Sequence, residues 1–596
     1  MTKALDPVTL EVIRNRLEMF AEEMQAALIR SAHSSIVREA SDASSAILDA
    51  QGNLISQARG VPVHLGSMDS AVKSVCRAFP AQDMRDGDIY IVNDPYEDAQ
   101  HLSDVVILTP VVIQGRTLAL TACMAHQQDI GGMSPGSMPQ NATELYQEGM
   151  IIPPLMLYTA GEPNHTLFSM IQKNVRIPDT VFGDIGAQIA CVKTGKRRML
   201  GLFSEYGTDQ LFEAIAIQQD KAEMLTRNFI EQMPNGRYSF EDYLDNDGVD
   251  LEKRVRIVAT VNINDSDFVV DFTGSDPQVR GPINAMPSVA VSAVRYVIRA
   301  VTDPEIPNNA GCYRPIRVIT PEGSVVNPYH PAPVSNRGVT LRRMIDCVMG
   351  ALVQVIPERV TAANNGHPLF CSIGGTNPVT RSPYVTSILT TGGQGARPTK
   401  DGVEAVCTDA SNSMNVPVEH LETYFPLRIL RWNLRDDSGG AGRWRGGLGL
   451  ECFVMITRGT AMLSHRGERH FSAPWGLFGG KPGETCVSEV IRVSGDTQRI
   501  QSKENVLVEE GDLLRFYTTG GGGYGDPFDR NPSRVLEDVV NRKVSTRSAE
   551  LDYGVVLVED SVDEEATSNR REGLRAQRGA IAWTYDRGYT SDSGQH

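Results

Sequence analysis

The stretch Asn93–Pro139, NDPYEDAQHLSDVVILTPVVIQGRTLALTACMAHQQDIGGMSPGSMP, governs the reading of the whole chain. It holds two His-x-x-Asp pairs, His101/Asp104 and His126/Asp129, on either side of a patterned apolar segment. Val105–Ile113 and Thr117–Ala125 are rich in Val, Ile, Leu and Thr, and Gln114-Gly115-Arg116 interrupts them where a hairpin turns. With Gly115 as the fold-back point, Asp104 lies eleven positions before it and His126 eleven after, so the two face each other. Opposed residues on paired strands hold their Cβ atoms roughly 5 Å apart, close enough to share one ion. His101, just ahead of the strand, closes from the side.

Two imidazoles and a carboxylate converging from strand ends suit Zn²⁺, Mn²⁺ or Fe²⁺. The plainer alternative is that His101 and His126 only satisfy polar strand ends. Two of eleven histidines falling beside acids at matching places on one hairpin favour the ion.

Working outward, Asp6-Pro7 opens a helix, and Leu10, Ile13, Leu17, Phe20, Met24 and Leu28 recur at helical spacing to about Ser31. Ser44–Leu48 and Leu54–Ser56 form a second hairpin turning at Gln51-Gly52-Asn53. Asp42 stands just before it; sequence spacing does not place that carboxylate at the ion. His64 falls in a loop before a helix starting near Ser67, as a hydrogen-bonding residue or as a group for proton transfer. Ile89–Val92 is a strand leading into Asn93.

Beyond His126 the loop is too rich in Gly, Pro and Ser for regular structure. Gly132-Met133-Ser134-Pro135-Gly136 matches the nucleophile-elbow pattern in form, but its prolines oppose the strand–turn–helix context it needs, so Ser134 is not a nucleophile. Asp129 is the better candidate, as a base near the ion. Residues 179–233 read as helical, RVRIVATVNINDSDFVVDFTGS as strand–turn–strand, and helix-like stretches follow Ser288 and Val339. GGGGYGDP at 520–527 reads as a tight structural turn, because no helix with Lys-Ser or Lys-Thr follows it.

The 596 residues exceed what one domain needs. We expect a large, β-rich, multidomain α+β chain, divided as a metal-binding catalytic domain (1–234), a middle α+β domain (235–426), a Gly-rich β domain (427–560) and a disordered tail (561–596). A net charge of −16 argues against a nucleic-acid or anionic-membrane binder. Nine scattered cysteines without Cys-x-x-Cys, no signal-peptide core and no spanning apolar run imply a cytoplasmic chain with reduced thiols.

DPVTLEVIRNRL, PVHLGSM, NDPY followed by HLSDV, AHQQDIGGMSPGS, DGVEAVCTDASNSMNVPVE, GGGGYGDP and LDYGVV occur in this order. Together they resemble the hydantoinase B/oxoprolinase family across nearly the whole chain. More distantly, the large subunits of ATP-dependent acetone and acetophenone carboxylases look similar. The resemblance implies one divalent metal held by Asp42, His101, Asp104 and His126. Of these, Asp42 rests on the resemblance alone. It further implies that ATP and Mg are bound by an A-type partner, in a hetero-oligomer such as (αβ)2, which phosphorylates the amide oxygen of a small cyclic amide. The absence of a Gly-x-x-x-x-Gly-Lys-Ser/Thr loop agrees with a separate ATP-binding chain. The metal, Zn first and Mn or Fe next, then arms water, while His64 or Asp129 handles protons. Alternative readings are the large subunit of a ketone carboxylase and a non-catalytic structural subunit. The chain departs from the family's NDPY-x-Gly-Gly-Thr/Ser-His pattern by carrying Glu97-Asp98-Ala99-Gln100 before His101.

Overall fold

Local chemistry at the first turn explains why the chain begins with a helix. Asp6 Oδ1 accepts N–H bonds from Val8 and Thr9, both 3.0 Å, and Pro7 occupies the first helical position, where no N–H is needed. Helix α1 (Pro7–Ser31) buries Ile13, Leu17, Phe20, Met24 and Leu28 along one stripe. The computed structural model describes residues 5–581 and 584–588, with 34% helix and 25% strand, in several sheets.

A one-turn helix α2 (Ser35–Arg38) leads into a seven-stranded sheet. Its strands are β1 (Ala43–Asp49), β2 (Leu54–Gln57), β3 (Ile89–Val92), β4 (Asp104–Ile113), β5 (Arg116–His126), β6 (Leu155–Thr159) and β7 (Glu162–Pro163). They lie in the order β2-β1-β5-β4-β3-β6-β7, so the predicted hairpin β4–β5 occupies the centre. Helices α3 (Pro62–Leu65) and α4 (Met68–Ala78) follow β2, then α5 (His165–Asn174), α6 (Pro178–Tyr206) and α7 (Thr208–Ile230) follow β7. The expected single helical segment is split at Gly207, whose φ of +75° ends α6.

The sheet is covered on both faces, which is why β4 and β5 read as apolar runs. Val105, Ile107, Cys123 and Ala125 join the core shared with α1 and α6. Val106, Leu108, Ala122 and Met124 form a second cluster with Met68, Ala71, Val72 and Val75 of α4. Alternation along the strands puts Asp104 and His126 on the second of these faces.

The next sheet comprises β8 (Gly236–Leu244), β9 (Val255–Asn264), β10 (Asp267–Asp271) and β11 (Ile316–Ile319), with β10 and β11 parallel. Against it pack α8 (Pro287–Val301) and the almost wholly buried α9 (Arg337–Val353). A third sheet joins Pro383–Thr390 and Leu369–Thr376 to Thr460–Arg466 and Lys503–Glu509. Strands from both sides of the expected 426/427 boundary therefore pair with each other, and that boundary does not separate independent units. The main core likewise runs unbroken from Ile13 to Leu477.

The glycine runs have a packing cause. A Cβ on Gly520 would stand 1.8 Å from Ser438 O, and one on Gly521 would stand 2.1 Å from Gln394 O. Backbones stack here without room for side chains, and no phosphate cradle is formed. The expected disordered tail is also corrected, because Glu564–Arg578 is a helix. Asp563 caps it, acids fill its first turn, Arg575 and Arg578 its last, and Arg578 bridges Asp526. The charges that suggested disorder act as caps and clamps. Residues 582–583 and 589–596 of that tail lie outside the described residues.

Two buried acids generate tests of this packing. Asp242 on β8 accepts from Arg343 of α9 at 2.7 Å and Arg469 at 3.0 Å, and Arg343 also meets Glu468, which pairs with Lys503. Asp242→Ala leaves two buried guanidiniums without that partner and should cost about 3–5 kcal/mol, read as a lowered thermal midpoint. Glu148 accepts from Val334 N (2.9 Å) and Ser335 N (2.8 Å) ahead of α9, and burial pushes its carboxyl up to about 7. Its stabilising contribution is full below the unfolded value near 4.5 and is lost as pH rises through 7. The midpoint of Glu148→Gln relative to wild type should therefore climb between pH 5 and 8 and stay level below 4.5.

Candidate metal centre

The geometry of the site starts at a turn. Gln114 and Gly115 join β4 to β5 with φ of +50° and +74°, the left-handed pair that a two-residue hairpin turn requires. Pairing begins at Ile113↔Arg116, and a bulge between Val111 and Val112 leaves Leu118 as an extra residue on β5. The remaining ladder runs from Val111↔Ala119 to Asp104↔His126. Were Leu118 paired in the ladder rather than bulged out of it, Ser103 would stand opposite His126 and Asp104 would lose that partner.

On the other edge of β5, β1 pairs Ala43 with Ala125, and His126 N donates to Asp42 O at 3.1 Å. Asp42, just ahead of β1, thus stands in a row with His126 and Asp104 at the ends of neighbouring strands. His101 joins from the turn before β4, its Nδ1 accepting from Asp104 N at 3.2 Å.

His101, Asp104 and His126 present ligand atoms that all lie within 4.8 Å of one another. His101 Nδ1 is 3.4 Å from Asp104 Oδ2, and His126 Nδ1 is 3.4 Å from Asp104 Oδ1. His64, in α3 rather than the expected loop, places Nε2 3.5 Å from both Asp42 Oδ1 and Asp104 Oδ1. Ser44 Oγ, 3.4 Å from His64 Nδ1, sets the ring. All these side chains are buried except Asp42, which is one-fifth exposed at the rim of a cavity of about 80 Å³.

Asp129 stands apart from this group and does not line the cavity. Its carboxylate accepts from Gly131 N, Gly136 N, Arg176 N and Arg176 Nη1 at 2.9–3.1 Å. Those four bonds make Asp129 the hub of the loop after β5 and leave it no free lone pair aimed at the imidazoles.

Burial opposes the charge on Asp104, yet His101, His64 and Arg337 outweigh it and hold the carboxyl well below its usual range. Burial and Arg337 hold His101 well below its ordinary value, toward the neutral form that ligates cations. His64 moves the other way: burial is outweighed by Asp104 and Asp42, which raise it. Asp104 Oδ1 has no hydrogen-bond partner although it is fully buried. An orphaned carboxylate oxygen facing imidazoles fits a divalent cation of the Zn, Mn or Fe type.

Several cavity residues escape local reading. Arg337, at the start of α9, donates to Asp104 Oδ2 from more than two hundred residues away. Arg342, His367, Phe370 and Arg466 also line the cavity. No spacing signal links these positions to the hairpin. Gln100 belongs to the departure from the family pattern. Its Nε2 donates to Val63 O at 2.5 Å and to Ser67 Oγ, tying the His101 loop to the helix that carries His64.

Known proteins share both this sequence and this architecture. The profile of the hydantoinase B/oxoprolinase family matches residues 6–527. The B-type chain of a putative D-/L-hydantoinase from Pseudomonas sp. is 32% identical over 590 residues, spanning 96% of this chain and 98% of that protein. The beta chain of the caprolactamase of Pseudomonas jessenii is 33% identical over 581 residues, 95% of this chain and 99% of that one. The crystal structure of the ATP-dependent caprolactamase from Pseudomonas jessenii matches 96% of this chain and 100% of that chain, with a TM-score of 0.89 at 31% identity. A nucleotide-free acetone carboxylase structure shares the fold, with a TM-score of 0.88 at 21% identity over 97% of this chain and 84% of that one. Relatives named as B-type or beta chains, and a family match over nearly the whole length, lead to one statement: the chain belongs to the hydantoinase B/oxoprolinase family.

Proposed function

We propose that the chain is the metal-dependent hydrolytic subunit of an ATP-dependent cyclic amidase, opening a hydantoin, 5-oxoproline or lactam ring with an A-type partner that handles ATP. The observation that carries this reading is the row Asp42–His126–Asp104 with His101 beside it, on a chain whose relatives are named as hydantoinase and caprolactamase subunits.

An unstrained cyclic amide resists hydrolysis, so coupling to ATP is chemically reasonable. In the proposed sequence the partner transfers a phosphoryl group to the amide oxygen. A water oxygen then bonds to that carbon, the ring nitrogen takes a proton as the C–N bond breaks, and the acyl phosphate left behind is hydrolysed by a second water to the carboxylate and inorganic phosphate. The side chains of this chain divide the task. His101, Asp104 and His126, with Asp42 at the rim, would hold the cation, which when bound supplies Lewis acidity that lowers the pKa of water toward ~7. His64, between two carboxylates, accepts and returns the proton. Arg337 fixes the Asp104 carboxylate.

The test uses the chain co-purified with its A-type partner. One equivalent of divalent metal is expected by elemental analysis, with turnover on a cyclic-amide panel. His101→Ala should lose metal and at least about 100-fold in turnover; wild-type turnover in that variant would dispose of the role. Labelled bicarbonate appearing in product would instead favour carboxylation. In the same assay Asp129→Asn should keep its metal and lose less than about tenfold, because its carboxylate is committed to the loop. A loss of about 100-fold or more with metal retained would return Asp129 to proton transfer.

A further inference from the structure

Three guanidinium groups line the cavity beside the imidazoles. Arg337 and Arg342 come from the first two turns of α9, and Arg466 from the end of the strand Thr460–Arg466. All are more than nine-tenths buried, at 6%, 8% and 7% exposure. Arg337 is paired with Asp104. Among the described residues, neither Arg342 nor Arg466 has a carboxylate oxygen within 4.0 Å.

Their internal contacts are weak substitutes. Arg342 Nη1 donates to Gly338 O at 3.0 Å, in its own helix. Arg466 Nη1 reaches Ser335 O only at 3.5 Å and Met138 Sδ at 3.9 Å, while the guanidinium lies 4.7 Å from the ring centre of Phe370, its cross-strand partner. The Nε of each has no partner. Asp42 acts on both guanidiniums and Asp409 on Arg342, each from beyond 4.0 Å, and Asp409 is turned to Asn364 Nδ2 at 2.7 and 2.8 Å. Buried charges in folded proteins are normally paired, because an isolated one carries a large desolvation penalty.

The helix adds to the positive potential. Asn336 at the N-cap of α9 makes no side-chain capping bond, Arg337 N and Val339 N donate to Val334 O and Asn336 O, and Arg337 and Gly338 line the cavity at the positive end of the helix dipole. A Cβ on Gly338 would sit 3.4 Å from Arg342 Nη1 and 3.5 Å from His367 Nε2, so the missing side chain leaves this corner clear. Burial and the neighbouring Arg337 and Arg342 push Arg466 down to about 9. Burial, Arg342 and Arg466 hold His367 well below its ordinary value. Burial is the first cause of both shifts, and the neighbouring guanidiniums add to it.

We propose that Arg342 and Arg466, at the N-terminal end of α9, form an oxyanion subsite beside the imidazole cluster that grips a phosphoryl or carboxylate group of the substrate. The proposal deepens the function proposed above and rests on it for the identity of the substrate. Charge favours the phosphoryl group. Three guanidiniums face two carboxylates, Asp42 and Asp104, and a bound divalent cation would widen that excess, which a dianion offsets better than a monoanion.

Binding is measured on the metal-stripped full chain alone, by titration calorimetry with inorganic phosphate and, separately, acetate. Wild type should bind phosphate, and Arg342→Met and Arg466→Met should each weaken it about tenfold or more, with Arg466→Lys between. In anion-free buffer the Met variants should show equal or higher thermal midpoints, since each removes an unpaired buried cation. Phosphate bound without acetate identifies the phosphoryl source, and equal binding of acetate identifies the carboxylate source. No binding of either by wild type, or unchanged binding in a folded variant, overturns the subsite. Because partner and substrate are absent from this measurement, its failure leaves ring opening untouched. An inactive pair would equally leave the binding result standing.

Discussion

The structure depends on a single register. One extra residue, Leu118, sits in β5 between the turn and the rest of the ladder, and it brings Asp104 opposite His126. Side chains alternate faces with every residue, so a slip of one position would carry Asp104 to the α1/α6 core. There the carboxylate would be buried among Ile and Val with no imidazole near it. Burial of both sheet faces locks the register, because each apolar residue of β4 and β5 already has its place in one of two cores.

Buried charge is handled in two contrasting ways. Around Asp242 the acids and cations are matched: Arg343, Arg469, Glu468 and Lys503 close on one another and join β8, α9 and the third sheet. At the cavity they are left unmatched. Among the described residues, Asp104 Oδ1 lacks a donor, the Nε of Arg342 and of Arg466 lacks an acceptor, and neither guanidinium has a carboxylate oxygen within 4.0 Å. Both sets share α9, so the matched network fixes the helix that carries the unmatched groups. A helix braced in this way can hold isolated cations in position at a cost the rest of the fold offsets.

The loops follow the same division of labour. Asp129 gathers four donors and fixes the segment after β5, while Gln100 ties the His101 turn to α3. Glycine does the corresponding work at the far end, where Gly520–Gly523 pass so close to neighbouring backbone that any side chain would collide. Asp129, Gln100 and these glycines hold the walls of the site through backbone contacts.

Much is legible along the chain because it is governed by neighbours in sequence. The Asp6 cap, the α1 stripe and the β4–β5 hairpin follow from helical and strand periods, whereas the facing of Asp104 and His126, expected from symmetry about Gly115, is reached through a two-residue turn and the bulge at Leu118. Family motifs add Asp42, and the glycine-rich turn reads as packing from what fails to follow it. The tail misleads because its charges resemble disorder until their partners are known. Only the tertiary structure decided that β1 pairs with β5, placing Asp42 in line with His126, and that α9 and a distant strand bring Arg337, Arg342 and Arg466 to the same cavity. Contacts across hundreds of residues leave no local period to read. A run such as RGVTLRRM looks like a solvated helix face until the core closes over it.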